Sequence, residues 1–525
     1  MGTPLGMQVA VQAESRAPAQ AHPPRPAGRW PDGVLVAVVA LGTALRLWGL
    51  GAQSLWYDEW LTTEAVSGGL GELARHVANR EGITPPYFVV MWAWARVVGD
   101  GEMALRSFSA LAGLATVVVA YALARQLGQR RAVARAAALL VATNPLLLWY
   151  SQEARPYSLL ALAGGLSVLA AARADRSGRR ADVVVWGVVA AGAVAVHYFA
   201  VFLVLGEALG LLVRRRVPWR RVAAGVVPVG LVLMTLAPVA VKQHAHAANR
   251  SWISGFSLRS RIEEAASSAL AGPSVRDGRL WLVVLAVVVA AAALAAGPTA
   301  GRDRRVALAL VGLAGVGTLS PLAVSLAGVD VFLGRYLIAA LVPLLTAVAV
   351  ALVATRRPAV ARVGGAAVVL VAGLWLAVDV AVGREPRLQR ADWRSVAEVV
   401  AADAPGDRGG VLVVNVAGDQ SSPLAHYLPG AAPLDRDRTL TTDRIDVLAL
   451  RPAGVPCNFV VGRPCGFVFL GAPLPPSMSD DFHLDRRVVL DQFVVERYRA
   501  DAPVAVGRDD LLAPADRASG RVWVL

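Results

Sequence analysis

The sequence predicts a polytopic α-helical membrane protein of about eleven transmembrane helices, with a small C-terminal α/β domain on the extracytoplasmic face. Three observations predict it. The 525 residues are 56% hydrophobic and 17% charged, with a mean hydropathy of +0.52, whereas soluble domains carry about a quarter charged residues. Apolar residues fall in long blocks such as Leu280 to Ala296 and Val363 to Val382, and blocks of about 17 to 25 residues match a bilayer core. After about residue 383, aspartate, proline and arginine rise and short β-rich runs appear.

Taken in order, residues 1–30 are rich in Pro, Ala and Gln and read as a disordered cytoplasmic tail. They lack the apolar core and small-residue cleavage site of a signal peptide, so the first apolar run stays as a helix. Crossings are expected at 33–50, 104–124, 133–150, 157–173, 183–197, 198–213, 222–241, 280–297, 306–326, 335–354 and 362–382. The net charge of +14 is almost all arginine, since Lys242 is the one lysine. The arginines cluster between apolar blocks: Arg125 to Arg135, Arg173 to Arg180, the run R-R-R-V-P-W-R-R at 214–221, Arg302 to Arg305, and Arg356 to Arg362. That pattern reports membrane orientation, not nucleic-acid binding. With every cluster and the N-terminus cytoplasmic, each intervening stretch crosses an even number of times. Residues 85–98, P-P-Y-F-V-V-M-W-A-W-A-R-V-V, are therefore an interfacial helix on the outer leaflet. The segment is short, opens with two prolines and contains Arg96, and Trp92 and Trp94 suit that depth.

A transmembrane domain thus runs over 31–383, with a first outer loop at 51–103 and a long outer loop at 242–279. The extracytoplasmic domain covers 384–525. Its strand signals are V-L-V-V-N-V (411–416), G-F-V-F-L-G (466–471), R-V-V-L-D-Q-F-V-V-E-R-Y (487–498) and R-V-W-V-L (521–525), and residues 391–403 have helical spacing. Cys457 and Cys465 both lie here, eight residues apart. On an oxidising face they are a disulfide candidate, with two free thiols as the alternative. No Cys/His spacing suggests zinc, and there is no internal repeat.

This topology gathers polar groups on the outer side. Asp58 and Glu59 follow the first crossing in S-L-W-Y-D-E-W-L-T-T-E (54–64), and Arg106 opens the second. The segment S-Q-E-A-R-P-Y (151–157) brings Glu153, Arg155 and Tyr157, and His197 lies at the next outer turn. Lys242 lies in the long loop, and Arg335 with Tyr336 opens the tenth crossing. Arg46 lies near the outer end of the first block, where it either snorkels to the interface or points into a site. Ionisable residues at membrane level default to a functional-site hypothesis. A carboxylate there can act as general base on a hydroxyl. Arginines match phosphate oxygens with their planar fork, and aromatic residues suit sugar faces or polyprenyl chains. The parts fit glycosyl transfer from a lipid-phosphate sugar to a hydroxyl, and no Gly-rich nucleotide loop is present.

In chain order S-L-W-Y-D-E-W, P-P-Y-F-V-V-M-W-A-W, A-L-R-S-F-S-A-L, W-Y-S-Q-E-A-R-P-Y, H-Y-F-A and G-R-Y-L-I-A-A-L-V-P resemble the GT-C superfamily over residues 30–355. The resemblance is to the bacterial membrane glycosyltransferases related to protein O-mannosyltransferases and lipid A aminoarabinose transferases. It implies inverting transfer from a polyprenyl-phosphate sugar, mannose-like first, with arabinose or an aminosugar as alternatives. It makes Asp58 the general base, with Glu59 contacting the acceptor or orienting Asp58. Arg106, Arg155, Arg335 and Tyr336 are then expected at the donor phosphate, and Glu153, Tyr157, His197 and Arg46 in support. Family members often carry His or Lys before the Pro-Pro pair; here it is Thr84, which implies another cation such as Lys242.

The acceptor class stays open among protein, polysaccharide and glycolipid. An acid pair beside phosphate has the oxygen donors for Mg²⁺ or Mn²⁺, so metal dependence stays open and no metal ligands are assigned. The alternative function is a transporter or flippase of lipid-linked sugars. Transporters show repeats and broken helices at mid-membrane. Neither is evident in the sequence, and the polar groups gather at the outer helix ends.

Overall fold

The computed structural model describes residues 32–80, 84–245, 253, 256–274, 301–402, 410–414, 422–450, 480–490, 493–512 and 521–525, with a few positions between 282 and 289. The expected crossing at 280–297 falls mostly outside the described residues, and so do the run 466–471, Cys457 and Cys465.

The region after α1 (Gly33–Leu47) contains α2 (Tyr57–Ser67), α3 (Leu70–Arg80) and α4 (Pro85–Val98). Next come α5 (Glu102–Gln126), α6 (Arg131–Thr143), α7 (Pro145–Ser151), α8 (Tyr157–Ser177), α9 (Arg180–Val196), α10 (Ala200–Arg214) and α11 (Trp219–Ala245). The membrane domain closes with α12 (Leu258–Ala271), α13 (Gly301–Leu326), α14 (Ile338–Val353) and α15 (Pro358–Arg384). Among the described residues six helices are long and apolar enough to cross a membrane, or seven if the bent pair α6–α7 is one span. One buried apolar core, from Val38 to Trp375, joins these helices.

Close helix approach depends on small residues. A Cβ on Gly187 of α9 would stand 2.1 Å from the Gly225 carbonyl oxygen of α11. One on Gly364 of α15 would stand 1.8 Å from the Leu352 oxygen of α14.

Two expectations need correction. The block 133–150 is not one straight crossing. It breaks at Asn144–Pro145 with a bend of 58°, because Pro145 lacks the donor a continuing helix needs. Asn144 satisfies the new helix end: its Oδ1 accepts from Leu147 N–H at 3.1 Å, and its Nδ2 donates to the Ala269 carbonyl at 2.9 Å. Polar groups are also not confined to the outer helix ends. Glu207 in α10 is 4% exposed and accepts from Ser167 of α8 (2.6 Å) and Trp186 of α9 (2.7 Å) through Oε2. Burial makes such a carboxylate tolerable only with donors around it, and here it pins three helices together.

Among the described residues the C-terminal domain holds a sheet of six strands in the order β2-β6-β1-β3-β5-β4. Its strands are β1 (Val411–Val414), β2 (Ala432–Pro433), β3 (Thr439–Leu450), β4 (His483–Val489), β5 (Phe493–Gly507) and β6 (Arg521–Val524). Among these strands only β1 and β3 are parallel neighbours. Alternation along β1 buries both faces: Leu412 and Val414 pack with Trp393, Val396 and Val400 of α16 (Trp393–Ala401), and Val411 and Val413 pack with Ile445 and Leu511. The run 487–498 is not one strand but the ends of β4 and β5, closed by Leu490 N–H donating to the Phe493 carbonyl at 2.7 Å. Buried Asp446 holds Arg444 (2.6 Å) and Arg497 (2.7 Å), and Arg444 also donates to the Val400 carbonyl at the end of α16.

Candidate active site

The acid pair sits in the first turn of α2, where the helix dipole favours negative charge. The two carboxylates have different surroundings. Glu59 is fully buried and accepts from Arg106 Nε and Nη2, both at 2.7 Å, and from Ala154 N–H at 2.9 Å. Burial pushes its pKa up, but the charge and hydrogen bonds of Arg106 outweigh this and hold it below the usual carboxylate range. Asp58 is partly exposed, and its Oδ2 accepts from Arg335 Nη1 at 3.2 Å.

Arg335 comes from a 3₁₀ turn, Gly334–Leu337, that leads into α14. Its guanidinium lies 5.7 Å from the ring centres of both Tyr157 and Tyr336. Tyr336 stacks on Phe199 at 4.5 Å and lies 5.2 Å from His197, and Tyr157 lies 4.7 Å from Tyr150. Arg155 Nη1 donates to the Asp58 carbonyl (3.0 Å) and to Thr62 Oγ1 (3.2 Å), clamping the first turns of α2. His197 is 2% exposed at the C-cap of α9.

The fold therefore brings Asp58, Arg155, Tyr157, His197, Arg335 and Tyr336 together. Glu153 lines a cleft beside Arg335, whereas Glu59, Arg106, Arg46 and Lys242 do not line it. Arg106, expected at the donor phosphate, is 1% exposed and fully engaged: besides Glu59 it donates to the carbonyls of Leu50 (3.1 Å), Gln53 (2.7 Å) and Ser54 (3.1 Å). Glu59, expected to contact the acceptor or to orient Asp58, is buried against Arg106, which closes off the first role and leaves the second. Arg46 neither snorkels nor lines the site. It is 1% exposed, donates to the Gly42 and Ala142 carbonyls at 3.1 Å, and shares its electrostatic surroundings with Asp379 of α15. Lys242 lies exposed in the last turn of α11 beside Gln243, which donates to the Val77 carbonyl of α3. Thr84 is a buried N-cap residue of α4 whose hydroxyl donates to the Val196 carbonyl at 2.7 Å.

The cleft beside Arg335 is walled by Trp56, Trp149, Glu153, Glu264 and Arg390 among others. Glu153 is fully buried and pairs with Arg390 at 2.7 Å. Burial raises its pKa from 4.5 to about 7, with the Glu59 and Asp58 charges adding and Arg390 opposing. Arg390 and Glu264 were not legible as site residues. They stand more than 200 positions from Asp58 in segments with no motif, and only the fold brings them in. Among the described residues no group of three or more His, Cys, Asp or Glu gathers as a metal set.

A family model described as dolichyl-phosphate-mannose-protein mannosyltransferase matches residues 83–241. Among solved structures, ArnT from Cupriavidus metallidurans bound to undecaprenyl phosphate is 15% identical, with a TM-score of 0.52 covering 89% of this chain and 98% of that one. Its apo state matches at 16% identity with the same TM-score and coverage. The Saccharomyces cerevisiae Pmt1–Pmt2 complex bound to its sugar donor is 17% identical, with a TM-score of 0.32 covering 41% of this chain and 33% of that one. No curated protein matches the sequence. The chain shares the fold of ArnT and is a multi-pass membrane protein, as its apolar blocks anticipate.

Proposed function

We propose that this chain is a GT-C membrane glycosyltransferase that moves a sugar, mannose-like, from a polyprenyl phosphate to an acceptor hydroxyl, with inversion and with Asp58 as general base. The observation that carries this is the division of the acid pair. Glu59 is locked to Arg106, while Asp58 stays partly open beside Arg335 and an aromatic cluster. The lipid-linked donor draws support from the undecaprenyl phosphate bound by ArnT and from the family match.

The donor phosphate lies against Arg335, with Tyr336 and Arg155 beside it, and the prenyl chain lies in the outer leaflet. Asp58 takes the proton of the acceptor hydroxyl as its oxygen attacks the anomeric carbon. The bond from that carbon to the phosphate oxygen breaks, and Arg335 stabilises the charge that collects on the leaving phosphate. When the phosphate draws Arg335 toward itself, Asp58 is released for the hydroxyl. In this reading the N-terminus is cytoplasmic and the sheet domain lies outside, in line with the arginine-rich connections.

Purified wild-type protein should transfer from radiolabelled polyprenyl-phosphate sugars, and Asp58→Asn should lose about 10²- to 10⁴-fold in rate, the usual worth of a positioned base. Full activity in Asp58→Asn overturns the role of Asp58. A flippase reading is favoured by the α6–α7 break and the buried Glu207. Movement of labelled lipid across vesicles without any transfer would establish that reading instead.

A further inference from the structure

The cleft beside Arg335 has a polar lining of mixed sign: the carboxylates of Glu153 and Glu264 and the guanidinium groups of Arg335 and Arg390. Arg390 stacks over Trp149 with its central carbon 4.1 Å from the ring centre. Its Nη2 donates to Glu153 Oε2 at 2.7 Å and its Nη1 to Gln53 Oε1 at 3.1 Å. Two atoms of this buried pair have no hydrogen-bond partner among the described residues, Glu153 Oε1 and Arg390 Nε. Their side chains are 0% and 3% exposed.

Buried polar groups are seldom left unpaired. One orphan here is an acceptor and the other a donor, so the group that satisfies both must donate and accept. A hydroxyl does both, an ammonium only donates, and an ionised phosphate mainly accepts. A phosphate would also meet two carboxylates here. Indole rings of Trp56 and Trp149 add flat apolar walls. A polyhydroxylated ring matches this lining.

We infer that this cleft binds the glycosyl group of the donor, with Glu153 and Arg390 reading its hydroxyls. The inference rests on the transferase reading above. Arg390 belongs to the segment joining α15 to the sheet domain, so the sugar site is completed from outside the helical bundle.

Binding, not transfer, tests it. The full-length protein in nanodiscs is titrated with undecaprenyl phosphate and with its mannosyl, glucosyl and arabinosyl forms. Wild type should bind at least one glycosylated form more tightly than the bare lipid. Glu153→Gln and Arg390→Lys should each weaken that form by about tenfold, the scale of one hydrogen bond to a charged group, and leave the bare lipid unchanged. Glu264→Gln, which alters no ion pair of the cleft, serves where either variant has lost its melting transition. Equal affinity of wild type for bare and glycosylated lipids overturns the inference, as does a variant that weakens both equally or neither. Full transfer by Asp58→Asn would remove the proposed base while leaving this lipid discrimination readable, so the two readings fail separately.

Discussion

At the scale of the residue, adjacent carboxylates can have opposite roles. Asp58 and Glu59 differ by one position, yet one faces the site and the other is fully buried against Arg106. Removing one partner of a buried ion pair strands the other charge and costs about 3–5 kcal/mol. Glu59→Gln should therefore lower the melting temperature and yield of the protein, whereas Asp58→Asn should melt like wild type and lose transfer. Thermal unfolding of the two purified variants checks this. Equal melting with equal loss of activity would place both acids in the chemistry. The acid pair was legible in the sequence as an unusual feature at a membrane boundary. Which acid stays partly exposed was not, because the choice is made by Arg106, 47 positions away, and by three loop carbonyls that only the fold aims at it.

At the scale of the element, apolar length and arginine placement located most helices, and α4 has the expected bounds, 85–98. The Asn144–Pro145 break was missed because apolar residues continue through it; the dipeptide itself is a breaker signal. The hairpin between β4 and β5 was missed for a similar reason, as the run 487–498 contains neither Gly nor Pro. Helix spacing was also invisible, since it is set by glycines scattered among many that meet nothing. Gly364 is a specific case. A methyl there would meet backbone, the Leu352 carbonyl oxygen at 1.8 Å, and backbone in two packed helices cannot rotate aside. Gly364→Ala should push α14 and α15 apart and cost about 1–3 kcal/mol, the usual range for overpacking. Gly365→Ala, one residue on in open space, should be near neutral. Paired melting curves in one detergent distinguish them, and equal effects would refute the close contact.

At the scale of the whole molecule, the sheet domain and the loop that leads into α2 are fastened to each other. The Tyr427 hydroxyl, from the short helix Leu424–Tyr427, accepts from Leu55 N–H at 2.6 Å and donates to Glu102. Arg394 of α16 also donates to Glu102 and to the Ala52 carbonyl. Ser54 Oγ donates to the Ala391 carbonyl at 2.8 Å and accepts from Trp393 N–H at 3.0 Å. The same short loop supplies the carbonyls that orient Arg106, which holds Glu59 next to Asp58. A chain of contacts therefore runs from the outer domain to the proposed base, and sequence reading had no means to find it across more than 300 residues. Tyr427→Phe keeps the ring and removes the hydroxyl, leaving Leu55 N–H without its acceptor at a cost of about 1–3 kcal/mol. If the loop must be held for Asp58 to act, kcat should fall several-fold with little change in KM, since the donor cleft is lined by other residues. Combined with Glu102→Gln, the variant should lose less than the sum of the single losses, with a coupling of about 0.5–3 kcal/mol as expected for directly bonded partners. Unchanged kcat in Tyr427→Phe would show that the sheet domain is attached to the catalytic loop without controlling it.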